Sequence, residues 1–279
     1  NLLEEIQKKE IHYKIGKTFY EKLTIDEHNE KIFEIIHHLN YSSDLIESNS
    51  EKFELAVLNL NTGRRAKLSS AYEAALSYFE KGIELIKDFE ATAEIIRLRI
   101  DLHSDACETC WLLNRPEKMD QMANTVLTLS RSPIEKIRVY KVLITYNVST
   151  GNGEGALRKA LEILTDLGLK LEVFPSQLAI IKELIKTKLI LAGKSYTSLS
   201  RLQKLENPKS LSIMEILSVT SSPAYTTSPN LLPILIFKQV SITAKQGITN
   251  SSAFAYVSLA LIYCGVLNDI NNGYEFGKL

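Results

Sequence analysis

Gly63-Arg-Arg-Ala66 and the nearby stretch Ala71-Tyr-Glu-Ala-Ala75-Leu-Ser-Tyr-Phe79-Glu-Lys-Gly82-Ile83 together decide the fold of this chain. Ala75, Phe79 and Gly82 recur at helical spacing and alternate small, large and small residues. Gly63 adds a position without a side chain on the preceding segment. Such an alternation lets two helices approach closely while one aromatic ring fills the space beside them. The two stretches therefore predict a tightly packed helical hairpin.

The same residues match the pattern of a tetratricopeptide repeat (TPR), with Tyr72 at the aromatic position after the turn. A weaker copy runs from Tyr140 to Leu164. A degenerate unit between the two contains Ala106, Met119, Ala123 and Val126. Two repeat steps of about 40 residues separate Ala75 from Ala156, which is longer than the standard repeat of about 34 residues. The predicted fold is all-α, a TPR-like alpha-alpha superhelix of helical hairpins.

Helical periodicity continues along the whole chain, and no run alternates with the period of a strand. Helices are predicted at roughly 4–22, 26–47, 51–66, 69–87, 91–113, 116–130, 134–149, 153–167, 177–192, 208–219, 231–246 and 252–267. Residues 1–48 are predicted to form an N-terminal helical linker region and residues 49–175 the TPR-like repeats. Residues 176–279 are predicted to form a second helical lobe or a degenerate continuation of the superhelix, truncated at its C-terminus.

Gln177 to Ala192 shows the clearest helical period in the sequence. Three- and four-residue spacing relates Leu178, Ile181, Leu184, Ile185, Lys188, Leu189 and Ala192. The opposite face is predicted to hold Lys182, Glu183, Lys186 and Thr187. Pro175-Ser176 is a start signal and Gly193 a stop signal.

The composition favours an ordinary soluble protein. The 33 basic and 33 acidic residues give a formal net charge of zero, so we expect neither a nucleic-acid nor a membrane partner. Three cysteines, an odd number, argue against a disulfide framework and favour a cytoplasmic location. Asn1 to Glu10 is too polar for a signal peptide. Asn1 is not an initiator Met and Tyr274 to Leu279 has the pattern of a mid-helix segment, so we expect the chain to continue at both ends.

One uncharged run, Gly247 to Asn268, is a membrane candidate by length. Only Ala253 to Leu267 within it is nearly all apolar, whereas a spanning helix needs about 20 apolar residues. The segment is therefore predicted to be a buried core helix.

Two glycine-containing motifs suggest nucleotide binding at first sight. Gly16-Lys17-Thr18 ends like a P-loop, but that motif requires a glycine where this chain has Ile11. Gly151-Asn-Gly-Glu-Gly155 follows a predicted helix rather than a strand and lies where a repeat turn is expected. Neither motif predicts a phosphate-binding loop.

Histidine and cysteine clusters are the remaining candidates for chemistry. His103, Cys107 and Cys110 share one helix side, but structural zinc takes four ligands and the third cysteine, Cys264, is far away in the sequence. Packing in a helical core is the favoured interpretation. The pair His37-His38 lacks the sequence context of a histidine-kinase phosphoacceptor. No catalytic, cofactor-binding or metal site is predicted, and we expect this chain not to be an enzyme.

Several segments beyond the repeat pattern resemble the helical region of the large bacterial multi-sensor kinases. They are Leu39-Asn40, Ala71-Tyr72-Glu-Ala-Ala75-Leu, Lys188-Leu-Ile-Leu-Ala-Gly193, Ser228-Pro-Asn-Leu-Leu-Pro233, Ala253-Phe-Ala-Tyr256 and Cys264-Gly-Val-Leu-Asn-Asp-Ile-Asn-Asn-Gly-Tyr-Glu-Phe-Gly277. In that family a serine/threonine kinase domain, an AAA/STAND-type ATPase, helical repeats, a GAF sensor and a histidine kinase share one chain. This sequence departs from the family at Tyr41, where a small residue is expected, and at the helix with Cys107 and Cys110, which shows no family pattern.

The resemblance implies a position between the ATPase and the sensor modules, so that no kinase or ATPase residue falls within these 279 positions. It also implies a regulatory, non-catalytic arm that docks a protein partner or a neighbouring domain of the same chain. Two alternatives remain open. The first is an inducer sensor that binds a small molecule inside the superhelix, with the loop from Tyr225 to Asn230 as part of the lining. The second is a structural spacer.

Overall fold

The computed structural model describes residues 2–22 and 25–279, which form two compact units, Asn1–Ser130 and Arg131–Leu279. The first unit contains α1 (Leu2–Lys22), α2 (Ile25–Tyr41), α3 (Asn49–Leu68), α4 (Tyr72–Leu85), α5 (Ala93–Leu112) and α6 (Pro116–Leu129). The second contains α7 (Pro133–Ser149), α8 (Gly153–Asp166), α9 (Gln177–Leu191), α10 (Tyr196–Ser200), α11 (Pro208–Thr227), α12 (Leu231–Gln246), α13 (Ser252–Gly265) and α14 (Ile270–Gly277). The prediction of an all-helical chain is confirmed. Within the described ranges, β pairing is limited to the isolated bridge between Lys204 and Ile248.

The division between the units lies at Ser130 and Arg131, within the predicted repeat region. The proposed domain boundaries at 48/49 and 175/176 stay predictions, as does the superhelix.

Helices of the first unit pack as successive pairs: α1 with α2, α3 with α4 and α5 with α6. The pair α3–α4 is held as close together as its sequence pattern predicts. A Cβ atom added at Gly63 would lie 2.4 Å from Cε1 of Phe79. The Phe79 ring is fully buried, and so is Ala75 one turn earlier. Only glycine at position 63 therefore leaves room for the ring between the two helices.

The second unit is built around α12, against which α9, α11 and α13 pack. Its core joins buried residues of the four helices α10, α12, α13 and α14: Leu199, Ile236, Phe237, Val240, Ala244, Ala255, Tyr256, Leu259, Ala260, Tyr263 and Phe276. The partly buried Ile180, Leu184, Ile190 and Leu191 of α9 pack against this core. The pair α7–α8 lies beside α11. Capping residues stabilise the N-termini of two of these helices. At α7, Ser132 and Glu135 form a reciprocal capping box. At α9, Ser176 accepts a hydrogen bond from the amide of Ala179.

Helix α9 corrects the expected assignment of its faces. Glu183 and Thr187, both expected on the solvent side, are buried. Leu178 and Leu189, expected on the apolar face, are 78% and 71% exposed. The physical reason is that polar groups of α12 face α9: Lys238 Nζ lies 2.7 Å from Glu183 Oε1, and the hydroxyls of Thr187 and Ser241 are 3.1 Å apart. Buried polar groups are tolerated when they are paired in this way.

Helix α11 is longer than predicted. The Ser/Thr-rich stretch from Thr220 was expected to be a connection, but α11 continues through Pro223 to Thr227. Proline has no amide hydrogen, so the helix forgoes its bond to the carbonyl of Val219. Tertiary burial of Pro223 and Ala224 outweighs that loss. In the first unit the expected helix 26–47 instead ends at Tyr41 and gives way to a 3-10 turn at Ser43–Leu45.

Helix α13 is only half buried, which corrects the expectation of a buried core helix. Ala255, Leu259 and Tyr263 face the core, whereas Val257 and Leu261 are exposed. In the described part of the chain, no helix is both long enough and apolar enough to cross a membrane.

Candidate interaction site

An open groove of about 760 Å³ lies between α11, α12 and α13 of the second unit. We define "the groove" by its lining residues: Ser218, Ser221, Ser222, Tyr225, Thr226, Leu232, Ile236, Phe254, Ser258, Leu261, Ile262 and Val266. None of these described residues carries a charge. Tyr225, Phe254, Leu261 and Val266 remain between 50% and 75% exposed at its edges. An apolar hollow with exposed apolar edges is typical of a surface that binds a partner or a ligand.

One wall of the groove is polar because α11 presents hydroxyl groups there. Part of this polarity is already used within the helix: Ser221 Oγ donates to the carbonyl of Leu217 at 3.1 Å, and Thr226 Oγ1 donates to that of Pro223 at 3.3 Å. Ser222 is exposed in the same wall. The hydroxyls offer hydrogen bonds to an occupant without any net charge.

The expected ligand-lining segment, Tyr225 to Asn230, falls partly at this groove. Tyr225 and Thr226 line it from the last turn of α11. Asn230 does not, because its side-chain amide donates to the carbonyl of Pro175 at 3.3 Å. A second hollow of about 640 Å³, with Lys141 and Glu215 in its wall, shares Ser218 and Phe254 with the groove.

The two glycine-containing motifs lie in helical surroundings. Gly16-Lys17-Thr18 is inside α1, where Lys17 Nζ donates to Glu51 Oε1 at 2.7 Å. Gly151 lies in the turn between α7 and α8, and Gly153 and Gly155 lie in the first turn of α8. A P-loop places its lysine on a phosphate from a loop after a strand, and neither motif has that geometry.

The cysteine helix packs into the core of the first unit. Cys107 and Cys110 are fully buried, and burial raises the pKa of the Cys110 thiol above its usual range. His103 Nδ1 lies 2.7 Å from the carbonyl oxygen of Arg99, and burial lowers the pKa of His103. Across residues 2–22 and 25–279, no set of three or more His, Cys, Asp or Glu side chains is arranged to hold a metal ion.

A histidine cluster in the first unit was not foreseen, because its members come from two helices. His38 Nδ1 lies 3.0 Å from His12 Nδ1, and the ring centroids of His12 and Tyr41 are 4.3 Å apart. His37 stands beside them, with its ring centroid 5.9 Å from that of His38. At 3.0 Å one imidazole nitrogen must donate and the other accept, so the contact requires at least one neutral ring. Tyr41, the position that departs from the family pattern, thus packs on α1.

We expect the packing of α1 on α2 to weaken in mild acid. Burial, then the neighbouring His12 and His37, lowers the pKa of His38 below the ordinary histidine value of about 6.5, while Glu34 acts in the opposite direction. Between the lowered pKa and 6.5 the unfolded chain binds more protons than the folded chain, so protonation favours unfolding. His38 therefore contributes its full stability above about pH 6.5 and loses it as the pH falls.

Thermal melts at pH 7.5 and 5.5 would measure this effect (both about one unit from the ordinary histidine pKa). The melting temperature of His38→Gln should fall less between the two values than that of the unchanged chain. The dependence left in the variant would come from groups such as His103, whose pKa is lowered as well. An equal fall in both proteins would contradict a role for His38.

A buried ion-pair network is the other feature that the sequence did not reveal. Asp105 on α5 is 1% exposed, and its carboxylate accepts from Arg64 Nε at 2.8 Å and from Lys67 Nζ at 2.7 Å. Lys67 also donates to Glu108 at 2.6 Å, and Arg64 lies 3.4 Å from Asp101. Every charge has an opposite partner in this cluster, which links α3 to α5. The arrangement is that of a structural network rather than of a reactive centre.

The sequence of the chain is similar to a segment of one known signalling kinase. It is 19% identical over 319 aligned positions to the hybrid signal transduction histidine kinase G of Dictyostelium discoideum. The alignment covers 98% of this chain and 9% of that kinase, so the chain spans a small part of its relative. No protein-family model matches the chain. The chain is thus similar to one segment of a signal-transduction kinase, and the narrower resemblance to bacterial multi-sensor kinases stays a prediction.

Proposed function

We propose that this chain is a non-catalytic regulatory module of a larger signal-transduction kinase. In this proposal its helical hairpins are TPR-like repeats, and the module docks an uncharged, apolar segment of a neighbouring domain or partner protein in the groove. Docking biases the activity of the kinase. The similarity to a histidine kinase supports the signalling context.

The observation that carries the proposal is the combination of size, openness and lack of charge in the groove. A hollow of about 760 Å³ edged by Leu261 and Val266, at 69% and 75% exposure, leaves apolar surface in contact with water. Burying such surface contributes about 25 cal/mol per Å². Because no lining residue is charged, a charged occupant would lose hydration without gaining an ion pair.

The docking test is thermal unfolding of the chain, alone and with the separately expressed ATPase and kinase modules of the parent protein, in each nucleotide state. A partner that binds only the folded chain raises its melting temperature. At a partner concentration a hundredfold above Kd, the free energy of unfolding increases by about 2.7 kcal/mol. We expect such a rise with one module, and we expect Leu261→Asp to abolish it. Leu261 is exposed, so the fold tolerates the change.

Val257→Asp is the matched control. Val257 is 48% exposed on the same helix but does not line the groove, so this variant should keep the shift. An equal partner-induced rise in melting temperature in both variants would show that the partner does not bind in the groove. No shift with any module would remove docking within the parent protein.

A small-molecule sensor is the second candidate function, and the hydroxyl wall favours it. The groove volume lies within the range of about 300–1,000 Å³ that is usual for ligand sites. The ligand would be neutral and largely apolar, with one or two groups that hydrogen-bond to Ser222 or Ser258. Ser222→Leu should then lower the affinity for a neutral hydroxylated apolar ligand, such as a long-chain fatty alcohol, measured by calorimetry. A variant that binds the alcohol as well as the unchanged chain would exclude the hydroxyl wall from recognition.

A further inference from the structure

Helix α9 of the second unit carries apolar side chains on two sides, yet only one side is covered. Ile180 and Leu184 pack against the core of the unit. On the outer side a row of four large apolar residues remains exposed: Leu178 at 78%, Ile181 at 51%, Ile185 at 54% and Leu189 at 71%. We call these four residues the α9 seam. A contiguous row of exposed apolar side chains is typical of an interaction surface.

The inward orientation of α9 is fixed by polar anchors, so the seam cannot turn inward without breaking them. Glu183 is held by Lys238 at 2.7 Å, and Thr187 Oγ1 lies 3.4 Å from the carbonyl oxygen of Phe237 and 3.1 Å from Ser241 Oγ, both on α12. Rotating the helix would bring the Glu183 carboxylate away from Lys238 and bury the flanking lysines. The fold therefore presents the seam to the outside.

The seam has the geometry of a helix-pairing surface. Its residues are three, four and four positions apart and extend over about 16 Å of helix. Such a narrow row is the pattern by which one helix packs against another. Helices that lie on a membrane surface carry a broad apolar face, usually with aromatic residues. The α9 sequence contains no aromatic residue.

The charges beside the seam are positive. Lys182 and Lys186 flank it, and the one carboxylate of the helix, Glu183, is buried and bound to Lys238. Lys186 Nζ lies 3.6 Å from that same carboxylate, which Lys238 approaches more closely. On the other flank, Lys188 Nζ lies over the Tyr263 ring, 5.6 Å from its centroid. Two-fold pairing of α9 with a second copy would bring lysines against lysines and is disfavoured.

We propose that the α9 seam binds an acidic amphipathic helix of a partner protein or domain. Its apolar residues would cover the seam while its carboxylates pair with Lys182 and Lys186. This inference deepens the proposed function of a docking module, but it concerns a surface that shares no residue with the groove. It therefore adds a second contact with a different charge requirement.

The test uses two synthetic amphipathic peptides with leucines at three- and four-residue spacing, one flanked by glutamates and the other by lysines. Fluorescence anisotropy measures the binding of each to the full chain. We expect the acidic peptide to bind at least about tenfold more tightly than the basic one, and salt to reduce the difference. Lys182→Glu combined with Lys186→Glu should reverse the preference. Ile185→Gln combined with Leu189→Gln should abolish binding of both.

Leu68→Gln is the matched control, since Leu68 is an equally apolar, 85% exposed residue on α3. It should bind the acidic peptide like the unchanged chain. All substituted residues are exposed, and unchanged melting temperatures would show that the variants fold. The groove variant Leu261→Asp should also retain peptide binding, so that failure of the groove and failure of the seam are distinguishable.

Three results would overturn the inference. The first is peptide binding without the expected specificity. It would appear as equal binding of the two peptides, or as undiminished binding by the double variant Ile185→Gln, Leu189→Gln, which we call the seam variant. The second is binding of the chain to phosphatidylcholine–phosphatidylserine vesicles that the seam variant loses while neither peptide binds, which would assign the seam to a membrane surface. The third is a dimer in light scattering that Ile185→Gln converts to a monomer, which would assign it to self-association.

Discussion

Replacing Asp105 by alanine is expected to lower the free energy of unfolding by about 3 kcal/mol. Breaking a buried ion pair by removing one partner usually destabilises by about 3–5 kcal/mol, because the other charge stays in a poorly solvated place. Lys67 is the charge most affected, since its side chain is only 17% exposed. The loss falls at the lower end of the range because Lys67 keeps Glu108 and Arg64 keeps Asp101.

Urea unfolding followed by tryptophan fluorescence suits this measurement. Trp111 is the single tryptophan of the chain and lies on α5, the same helix as Asp105. Glu73→Ala is the control, because the Arg115–Glu73 pair also connects distant segments, the turn before α6 and helix α4, at 2.7 Å but is 42% and 66% exposed. That variant should lose less than about 1 kcal/mol. Similar losses of unfolding free energy in the two variants would show that burial does not determine how much the Asp105 ion pairs stabilise the fold.

The helices of this chain could be predicted because their signals are local. Capping residues, proline and glycine act within one or two turns, and a repeated apolar period marks each of the longer helices. The five-residue helix α10 was not predicted, because it is too short to show a period. The close approach at Gly63 and Phe79 could be predicted as well, because a small–large–small pattern has few packing solutions. The error at Pro223 is of the opposite kind. A proline raises the energy of a helix locally, and only burial against other helices makes the longer α11 favourable.

The orientation of α9 could not be predicted from its own sequence. Periodicity identifies a face, but which face is buried depends on what the neighbouring helix offers. Lys238 and Ser241 lie more than 50 positions away in the chain, and their polar groups turn Glu183 and Thr187 inward. The groove was missed for the same reason, because its walls come from three helices. Of the segment proposed as its lining, only Tyr225 and Thr226 contribute.

The Asp105 network and the histidine cluster were missed because charged residues are common on helix surfaces. Nothing in a single sequence distinguishes Asp105 from a solvated carboxylate, and its partners on α3 are 38 and 41 positions away. An aspartate among alanine, cysteine and leucine on a helix with two buried faces is the one signal that could have identified it.

Substituting valine for Gly63 is expected to destabilise the first unit by about 3 kcal/mol, at the upper end for an overpacked core. The nearest atoms to an added Cβ are all in the Phe79 ring, at 2.4, 2.8 and 2.9 Å. The ring is fully buried and has no open space to enter. Gly265→Val is the control, because a side chain there meets nothing within 4 Å. Its stability should stay within about 0.5 kcal/mol.

A double-mutant cycle would show that the Phe79 ring causes this loss. Phe79→Leu alone leaves a cavity and costs about 1–2 kcal/mol. In the double variant the valine occupies part of that cavity, so the combined loss should be smaller than the sum by about 1–2 kcal/mol. Trp111 fluorescence reports the first unit, and circular dichroism, which follows the helices of both units, is used for the Gly265→Val control. Additive losses would mean that valine strains the helix elsewhere, and that the hairpin of α3 and α4 does not depend on the fit between Gly63 and Phe79.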